Sequence, residues 1–225
     1  MEPLQRFSEL VGDPARPFAL DEATLMIAAA FRPSLDLGHA LWLLDDLADT
    51  CPDASFEAVV DHLVRVEGFR GNQNDYDDPE NSLLDAVLAR RLGIPISLSV
   101  VAIEVGRRLG VPIVGIGMPG HFLIRSQSEP QLYADPFHGG VMLTPSDCRV
   151  VFRAITGGSA EWHDGFLRPV TERALVIRML NNLKSLHTKR QDRDALRTVL
   201  RLRAAFPEVE PVEREELRRS MAPFN

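Results

Sequence analysis

The sequence has few cysteines and no long apolar run, and both absences exclude classes of protein. Its two cysteines, Cys51 and Cys148, lie far apart in the 225 residues and form no CxxC pattern. Neither a disulfide framework nor a zinc site built on cysteine is therefore expected. The longest apolar stretches, at residues 25–31 and 98–105, are far shorter than the roughly 20 residues that span a bilayer. We expect no membrane segment.

The sequence also lacks an excess of basic residues. The formal net charge is −7 and the pI is near 5.4, which disfavours a protein that grips the phosphate backbone of nucleic acids with clustered Lys and Arg. Glu2 and Pro3 open a polar N-terminus with no basic segment leading into an apolar run. A secretory signal is therefore not expected, and the sequence predicts a cytoplasmic protein.

Residues 1–68 are predicted to form an N-terminal helical region. Apolar residues recur at helical spacing over residues 22–31 and 36–49. A third helix is predicted after Ser55, whose hydroxyl is a suitable N-cap. Its expected buried stripe consists of Val59, Val60, Leu63 and Val66.

Residues 69–168 are predicted to form an α+β core. The polar stretch 68–79 is a loop, and Asn81-Ser82 is expected to cap a helix that Gly93 ends. Residues 95–109 are apolar on nearly every face, which predicts a central buried helix. Four apolar runs of strand length follow, and they predict an antiparallel sheet packed on that helix. Those runs are residues 112–118, 122–124, 131–134 and 140–143.

Two polar residues stand at the strand ends of this predicted sheet. His121 follows Pro-Gly and precedes one strand, and Asp135 lies between Tyr-Ala and Pro. A helix, then a His, then an Asp is the order in which papain-like enzymes place a nucleophile, a general base and an orienting carboxylate. We predict that His121 and Asp135 are in contact. His138 makes a His-Asp-His metal site conceivable, but the carboxylate is expected to serve His121, so no metal and no cofactor are predicted.

The block from Asn81 to Pro136 resembles the transglutaminase-like superfamily, in particular its bacterial SirB-type proteins. The resemblance rests on Asn-Ser, then Arg-Arg-Leu-Gly-Ile-Pro-Ile-Ser-Leu-Ser, then Pro-Gly-His-Phe, then Asp-Pro, over about a quarter of the chain. It implies a papain-like fold with a Cys at the start of the central helix, a His on one strand and an Asp on the next. It also implies that His121 is the base and Asp135 the orienting residue.

The nucleophile is where this chain departs from the pattern, because Pro95 occupies the position that the resemblance assigns to cysteine. Proline carries no nucleophile but suits the first turn of a helix. An active transglutaminase or cysteine protease is therefore not expected, and whether the chain is an enzyme at all stays open. Ser97 and Ser99 are the nearest hydroxyls, although Ser97 is expected to face away and Ser99 to lie about 6 Å deeper.

Three hypotheses follow for function. The first is a catalytically degenerate domain that binds a protein or peptide in the cleft beside His121 and Asp135. The second is a hydrolase or acyltransferase that uses Ser97 or Ser99 with His121 as base. In the third, the His-Asp pair only stabilises the sheet. The sequence does not predict the oligomeric state.

Residues 169–225 are predicted to form a C-terminal helical hairpin, after a short helix at residues 146–155. Thr171 is expected to cap the first helix of the pair and Asp192 the second. This hairpin resembles one tetratricopeptide unit, and SirB-type proteins are similar in carrying such a tail. A single unit cannot form a solenoid, so we expect it to pack on the core.

Overall fold

The computed structural model describes residues 2–208 and the single residue Glu215. The fold class is α+β, as predicted. Within the described residues lie nine α-helices: α1 (Pro3–Val11), α2 (Leu20–Phe31), α3 (Leu37–Asp49), α4 (Phe56–Asp61), α5 (Leu84–Arg90), α6 (Pro95–Leu109), α7 (Pro145–Thr156), α8 (Glu172–Lys189) and α9 (Arg193–Ala204). The strands are β1 (Arg70–Gly71), β2 (Leu92–Gly93), β3 (Ile113–Ile116), β4 (Leu123–Ser126), β5 (Tyr133–Asp135) and β6 (Val141–Leu143).

The chain divides into two compact units. One consists of residues 1–37 and 176–225, and the other of residues 38–175. These units group the chain differently from the three ranges 1–68, 69–168 and 169–225, which remain a prediction. In the described part of the chain, no helix has both the length and the apolar character needed to cross a bilayer.

The first unit is helical. Helices α1, α2 and α9 pack on one another, and the rings of Phe7 and Phe206 meet edge to face with centroids 5.8 Å apart. Asp192 caps α9, as predicted, by accepting a hydrogen bond from the backbone N–H of Ala195. The C-terminal helical hairpin formed by α8 and α9 is likewise confirmed.

The second unit contains the sheet and the central helix. The strands are antiparallel in the order β3-β4-β5-β6, and α6 packs against β3 and β4. Helix α6 begins at Pro95, and its residues are buried from Pro95 to Gly106. Gly110 ends it in the left-handed conformation, with φ of 71°. The predicted central buried helix and antiparallel sheet are both confirmed.

The helix after Ser55 differs from its prediction in the second half. Ser55 caps α4 as expected, accepting from the N–H of Ala58. The turn that follows is a π-helix, His62–Val66, and Val66 is 67% exposed rather than part of the buried stripe. A π-turn takes more residues than an α-turn, so the residues after it move off the predicted face.

The prediction that Asn81-Ser82 caps the next helix is wrong. Pro79–Ser82 is a short 3-10 helix, and α5 begins only at Leu84. The side chain of Asn81 is used elsewhere: its amide donates to the carbonyls of Asp75 and Tyr76. Helix α5 ends at Arg90 with Arg91 in the left-handed conformation, so Gly93 lies in β2 and does not end the helix.

Candidate functional site

His121 and Asp135 meet at one end of the sheet, as predicted. His121 stands just before β4, and Asp135 is the last residue of the neighbouring antiparallel strand β5. The imidazole Nε2 of His121 lies 2.7 Å from Oδ2 of Asp135. Both side chains are buried. The two antiparallel strands therefore hold a buried, hydrogen-bonded imidazole–carboxylate pair.

The carboxylate of Asp135 is fixed by four hydrogen bonds. Its Oδ1 accepts from the backbone N–H groups of Phe137 and His138, while Oδ2 contacts Nδ1 of His138 at 2.7 Å as well as His121. Burial alone would raise the pKa of Asp135, but the hydrogen bonds and charges of His121 and His138 outweigh it and hold that pKa below its ordinary value. Asp135 is thus held as a carboxylate.

His138 is a site residue that the sequence analysis considered only as a conceivable metal ligand. Its side chain is half exposed, whereas that of Asp135 is buried. The spacing Asp-x-x-His in a turn was the available signal, because a turn brings residues three apart together. The sequence analysis weighed His138 as a metal ligand but assigned Asp135 to His121, and so did not predict that His138 also bonds the carboxylate.

Phe137 forms an aromatic wall beside these three residues. Its ring meets those of His121 and His138 edge to face, with centroids 6.3 and 5.0 Å away. Tyr76 contacts the same phenyl ring from the polar loop, at 5.8 Å. The loop that the sequence assigned only to turn formation therefore contributes to the site.

Pro95 is the first residue of α6 and is buried. Ile94 occupies the N-cap position, and its backbone N–H is bonded to Oγ of Ser97 at 3.1 Å. The hydroxyl of Ser97 donates to the carbonyl of Asn81 at 2.5 Å. Ser97 therefore ties the start of the central helix to the segment before α5.

Ser99 lies one turn beyond Pro95 on α6. Its hydroxyl donates to the carbonyl of Pro95 at 2.8 Å, a bond from residue i to residue i−4 within the helix. Both Ser97 and Ser99 are fully buried. Because each hydroxyl proton is directed at a backbone carbonyl, the structure does not favour the serine-hydrolase hypothesis.

A buried amide pair supports the start of α6. Nδ2 of Asn72 donates to Oδ1 of Asn81 at 3.0 Å, and the backbone N–H of Asn72 bonds to the carbonyl of Gly93. Both side chains are buried. The sequence reasoning missed this pair because polar loop residues are usually solvated.

Gly71 joins the two sides of the site. The helix side is the start of α6, with Pro95, Ser97 and Ser99, and the strand side carries His121, Asp135 and His138. It pairs with Gly93 in the parallel β1–β2 ladder, and its N–H donates to the carbonyl of Phe137 at 3.3 Å. A Cβ atom at Gly71 would lie 2.6 Å from that carbonyl oxygen and 2.5 Å from the Phe137 ring. Only glycine allows this close approach.

A groove of about 520 Å³ opens beside the turn that carries His138. One wall comes from α4 and the π-helix, and the other from residues 139–142. The backbone N–H of Gly140 donates to the carbonyl of Asp135 at 2.8 Å, which connects the groove wall directly to the site. Gly140 has φ of 68°, and a Cβ atom there would lie 2.8 Å from Val60.

Comparison with known proteins finds relatives in bacteria and in animals. The chain is 43% identical over 144 residues to a UPF0162 protein of Xylella fastidiosa, covering 61% of this chain and 51% of that protein. A UPF0162 protein of Pseudomonas aeruginosa is 37% identical over 180 residues, covering 76% of this chain and 66% of the relative. Human F-box only protein 21 is 32% identical over 128 residues, covering 52% of this chain and 19% of that protein.

The chain thus spans about half to two thirds of the length of these two UPF0162 proteins. No solved structure matches it significantly. A family model described as the transglutaminase-like superfamily matches residues 27–181, which is more than half of the chain. That match includes α6, the sheet, His121 and Asp135. The chain belongs to the transglutaminase-like superfamily.

Proposed function

We propose that this transglutaminase-like domain is catalytically degenerate and acts by binding a protein or peptide segment beside His121 and Asp135. The observation that carries the proposal is Pro95, the first residue of the central helix, at the position that the family resemblance assigns to a catalytic cysteine. Proline has no group that can attack a carbonyl. In the part of the chain that the structure describes, the proposed base and orienting carboxylate therefore have no nucleophile matched to them.

The state of the two nearby serines supports this proposal. A serine nucleophile needs its hydroxyl proton directed at a general base. The hydroxyl of Ser97 instead donates to Asn81, and that of Ser99 donates to Pro95. Both hydroxyls therefore stabilise the first turns of α6.

The groove beside His138 supports binding of an extended segment. Its volume of about 520 Å³ falls within the roughly 300–1,000 Å³ typical of ligand sites. The wall formed by residues 139–142 includes Val141 and Met142, both of which are exposed. Exposed apolar side chains on the wall of a groove are suited to contact a partner.

Strand β6 can hydrogen-bond to the backbone of a peptide that lies in the groove. In the part of the chain that the structure describes, β6 pairs with β5 and ends the sheet order β3-β4-β5-β6. An edge strand offers N–H and C=O groups to an added strand, which is how several domains bind extended peptides. We therefore expect the partner to be an extended segment with apolar side chains.

Selection of a displayed library of random extended peptides on the purified full chain tests the proposal. Val141→Asp places a charge on the groove wall, and Val150→Asp is the matched control because Val150 is 65% exposed on α7. We expect enriched peptides whose binding Val141→Asp weakens at least about tenfold, since each 1.4 kcal/mol corresponds to a factor of ten. Val150→Asp should bind them like the wild type.

Two results would overturn the proposal. One is that no peptide is enriched, or that Val141→Asp and Val150→Asp bind the enriched peptides equally well. The other is turnover of an ester, thioester or amide substrate that disappears in His121→Ala, because a degenerate site has no such activity.

Three finer assignments accompany this proposal. The α8–α9 hairpin supports a SirB-type domain with a tail equivalent to one tetratricopeptide unit. The two free thiols, Cys51 and Cys148, support a cytoplasmic location. The net charge of −7 supports a protein partner over a nucleic acid.

A further inference from the structure

The three side chains at the sheet end bring together ligand atoms of a kind that transition metals bind. Nε2 of His121 and Nδ1 of His138 each lie 2.7 Å from Oδ2 of Asp135. One ligand atom from each of the three residues lies within 4.8 Å of the other two. Two imidazole nitrogens with one carboxylate oxygen are a donor set that binds Zn²⁺ and other divalent first-row ions.

The hydrogen bonds and packing around these atoms are of the kind that hold metal ligands in position. Oδ1 of Asp135 accepts from the N–H groups of Phe137 and His138, which fixes the carboxylate while Oδ2 remains directed at the imidazoles. Outer hydrogen bonds of this kind orient metal ligands. The Phe137 ring packs against both imidazoles and limits the positions that they can adopt.

The half-exposed side chain of His138 gives a metal ion access to the site and is free to move when the ion binds. Its side chain is 50% exposed, so an ion can enter from solvent on that side. The nitrogen–oxygen distances of 2.7 Å are those of hydrogen bonds, whereas ligands about 2.0–2.2 Å from one tetrahedral ion lie roughly 3.3 Å apart. Both contacts must therefore lengthen by about 0.6 Å to accommodate an ion. The half-exposed His138 ring can move outward into solvent, and the contact between His121 and Asp135 must open through small rotations of those two side chains.

We infer that His121, Asp135 and His138 form a three-ligand site for a divalent transition-metal ion of the Zn²⁺ type. The site is open, because three protein ligands leave at least one position of a tetrahedral ion for water or for an oxygen atom of a bound partner. This differs from the expectation drawn from the sequence, in which Asp135 served His121 alone. It also goes beyond peptide binding in the groove, which needs no metal.

The test is titration of the chelator-treated, desalted full chain with Zn²⁺ by calorimetry and with Co²⁺ by visible absorption. We expect one ion per chain and the strong absorption of low-coordinate Co²⁺. His138→Ala should weaken binding by more than about 100-fold, because even outer-shell substitutions cost about 10–100-fold. His39→Ala is the matched control, since His39 is an exposed histidine on α3 and its loss should leave binding unchanged.

Two further variants separate loss of a ligand from loss of the fold. Asp135→Asn retains an oxygen for the backbone N–H groups but loses the carboxylate charge, and His138→Asn keeps a polar side chain at the half-exposed position. Both should retain the wild-type circular dichroism spectrum and lose the Co²⁺ absorption. Failure of the wild type to bind either ion would overturn the inference, as would equal binding by His138→Ala, which would reveal adventitious surface binding.

Discussion

The two sides of the site differ in the partners of their polar atoms. On the strand side, a carboxylate and two imidazoles contact one another through charge-assisted hydrogen bonds. On the helix side, the hydroxyls of Ser97 and Ser99 bond only to backbone groups in the contacts described above, and Pro95 has no polar side chain. The strand side thus carries side chains that can perform acid–base or metal chemistry. The polar side chains of the helix side instead stabilise the first turns of α6.

The largest loss of stability should come from removing the carboxylate on the strand side. Asp135→Ala removes the acceptor of four hydrogen bonds and leaves the buried imidazole of His121 without its carboxylate. Loss of one member of a buried pair is strongly destabilising, so we expect the free energy of unfolding to fall by about 3 kcal/mol. Urea unfolding followed by circular dichroism measures this change. A loss below about 1 kcal/mol would show that the network does not stabilise the fold.

The junction between the two sides should be the next most sensitive position. Gly71→Ala places a methyl group against the Phe137 carbonyl and ring, and such overpacking costs about 2 kcal/mol. Arg70→Ala is the control, because Arg70 is the exposed neighbour of Gly71 in β1. Thermal unfolding of both variants makes the comparison. Equal melting temperatures would mean that β1 does not hold the two sides together.

Substitutions on the helix side should lower the free energy of unfolding less. Ser97→Ala removes the bridge between Asn81 and Ile94, and loss of this buried hydrogen bonding is expected to cost about 1 kcal/mol. Chemical denaturation of the variant measures the cost. If ester turnover were present and vanished in this variant while its stability was unchanged, the structural role of Ser97 would be wrong.

The smallest effect is expected for Ser99→Ala. Its hydroxyl only adds a second bond to a carbonyl within α6, and alanine is the better helix former. The free energy of unfolding should change by no more than about 0.5 kcal/mol. Parallel denaturation of Ser97→Ala and Ser99→Ala ranks the two serines, and the reverse order would contradict the bonding described here.

Much of this architecture could be predicted from the sequence, because the signals were local. The apolar run of α6 between Pro95 and Gly110 and the strand-length runs after it determine the central helix and the sheet. The contact between His121 and Asp135 was also predicted, but from the resemblance carried by Pro-Gly-His and Tyr-Ala-Asp-Pro. Periodicity contained the information for the helix and the sheet, and the family pattern contained it for the pair.

The remaining features depend on contacts between distant segments. Asn72 and Asn81 look like solvated loop residues, yet they are buried and bonded to each other. Nothing local indicates that Gly71 passes against Phe137, or that a π-turn exposes Val66. The clustering of His138 with His121 likewise needed the direction of the turn after β5. Such features follow from tertiary packing, which overrides local preference.

The most direct test of the central claim is to return a thiol to the helix side. The claim is that Pro95 occupies the nucleophile position of an otherwise intact site. In Pro95→Cys, a thiolate at the start of α6 would be favoured by the helix dipole and by His121, which the assignment places beside it. The natural thiol Cys148 interferes little, because burial and then the charge of Asp147 raise its pKa to about 12.

The measurement is the rate of iodoacetamide labelling at each cysteine, followed by peptide mass spectrometry near pH 6.5. We expect Cys at position 95 to react at least about tenfold faster than Cys51, and the added substitution His121→Ala to abolish that advantage. Labelling at the Cys51 rate, unchanged by loss of His121, would contradict the assignment of Pro95 to the nucleophile position.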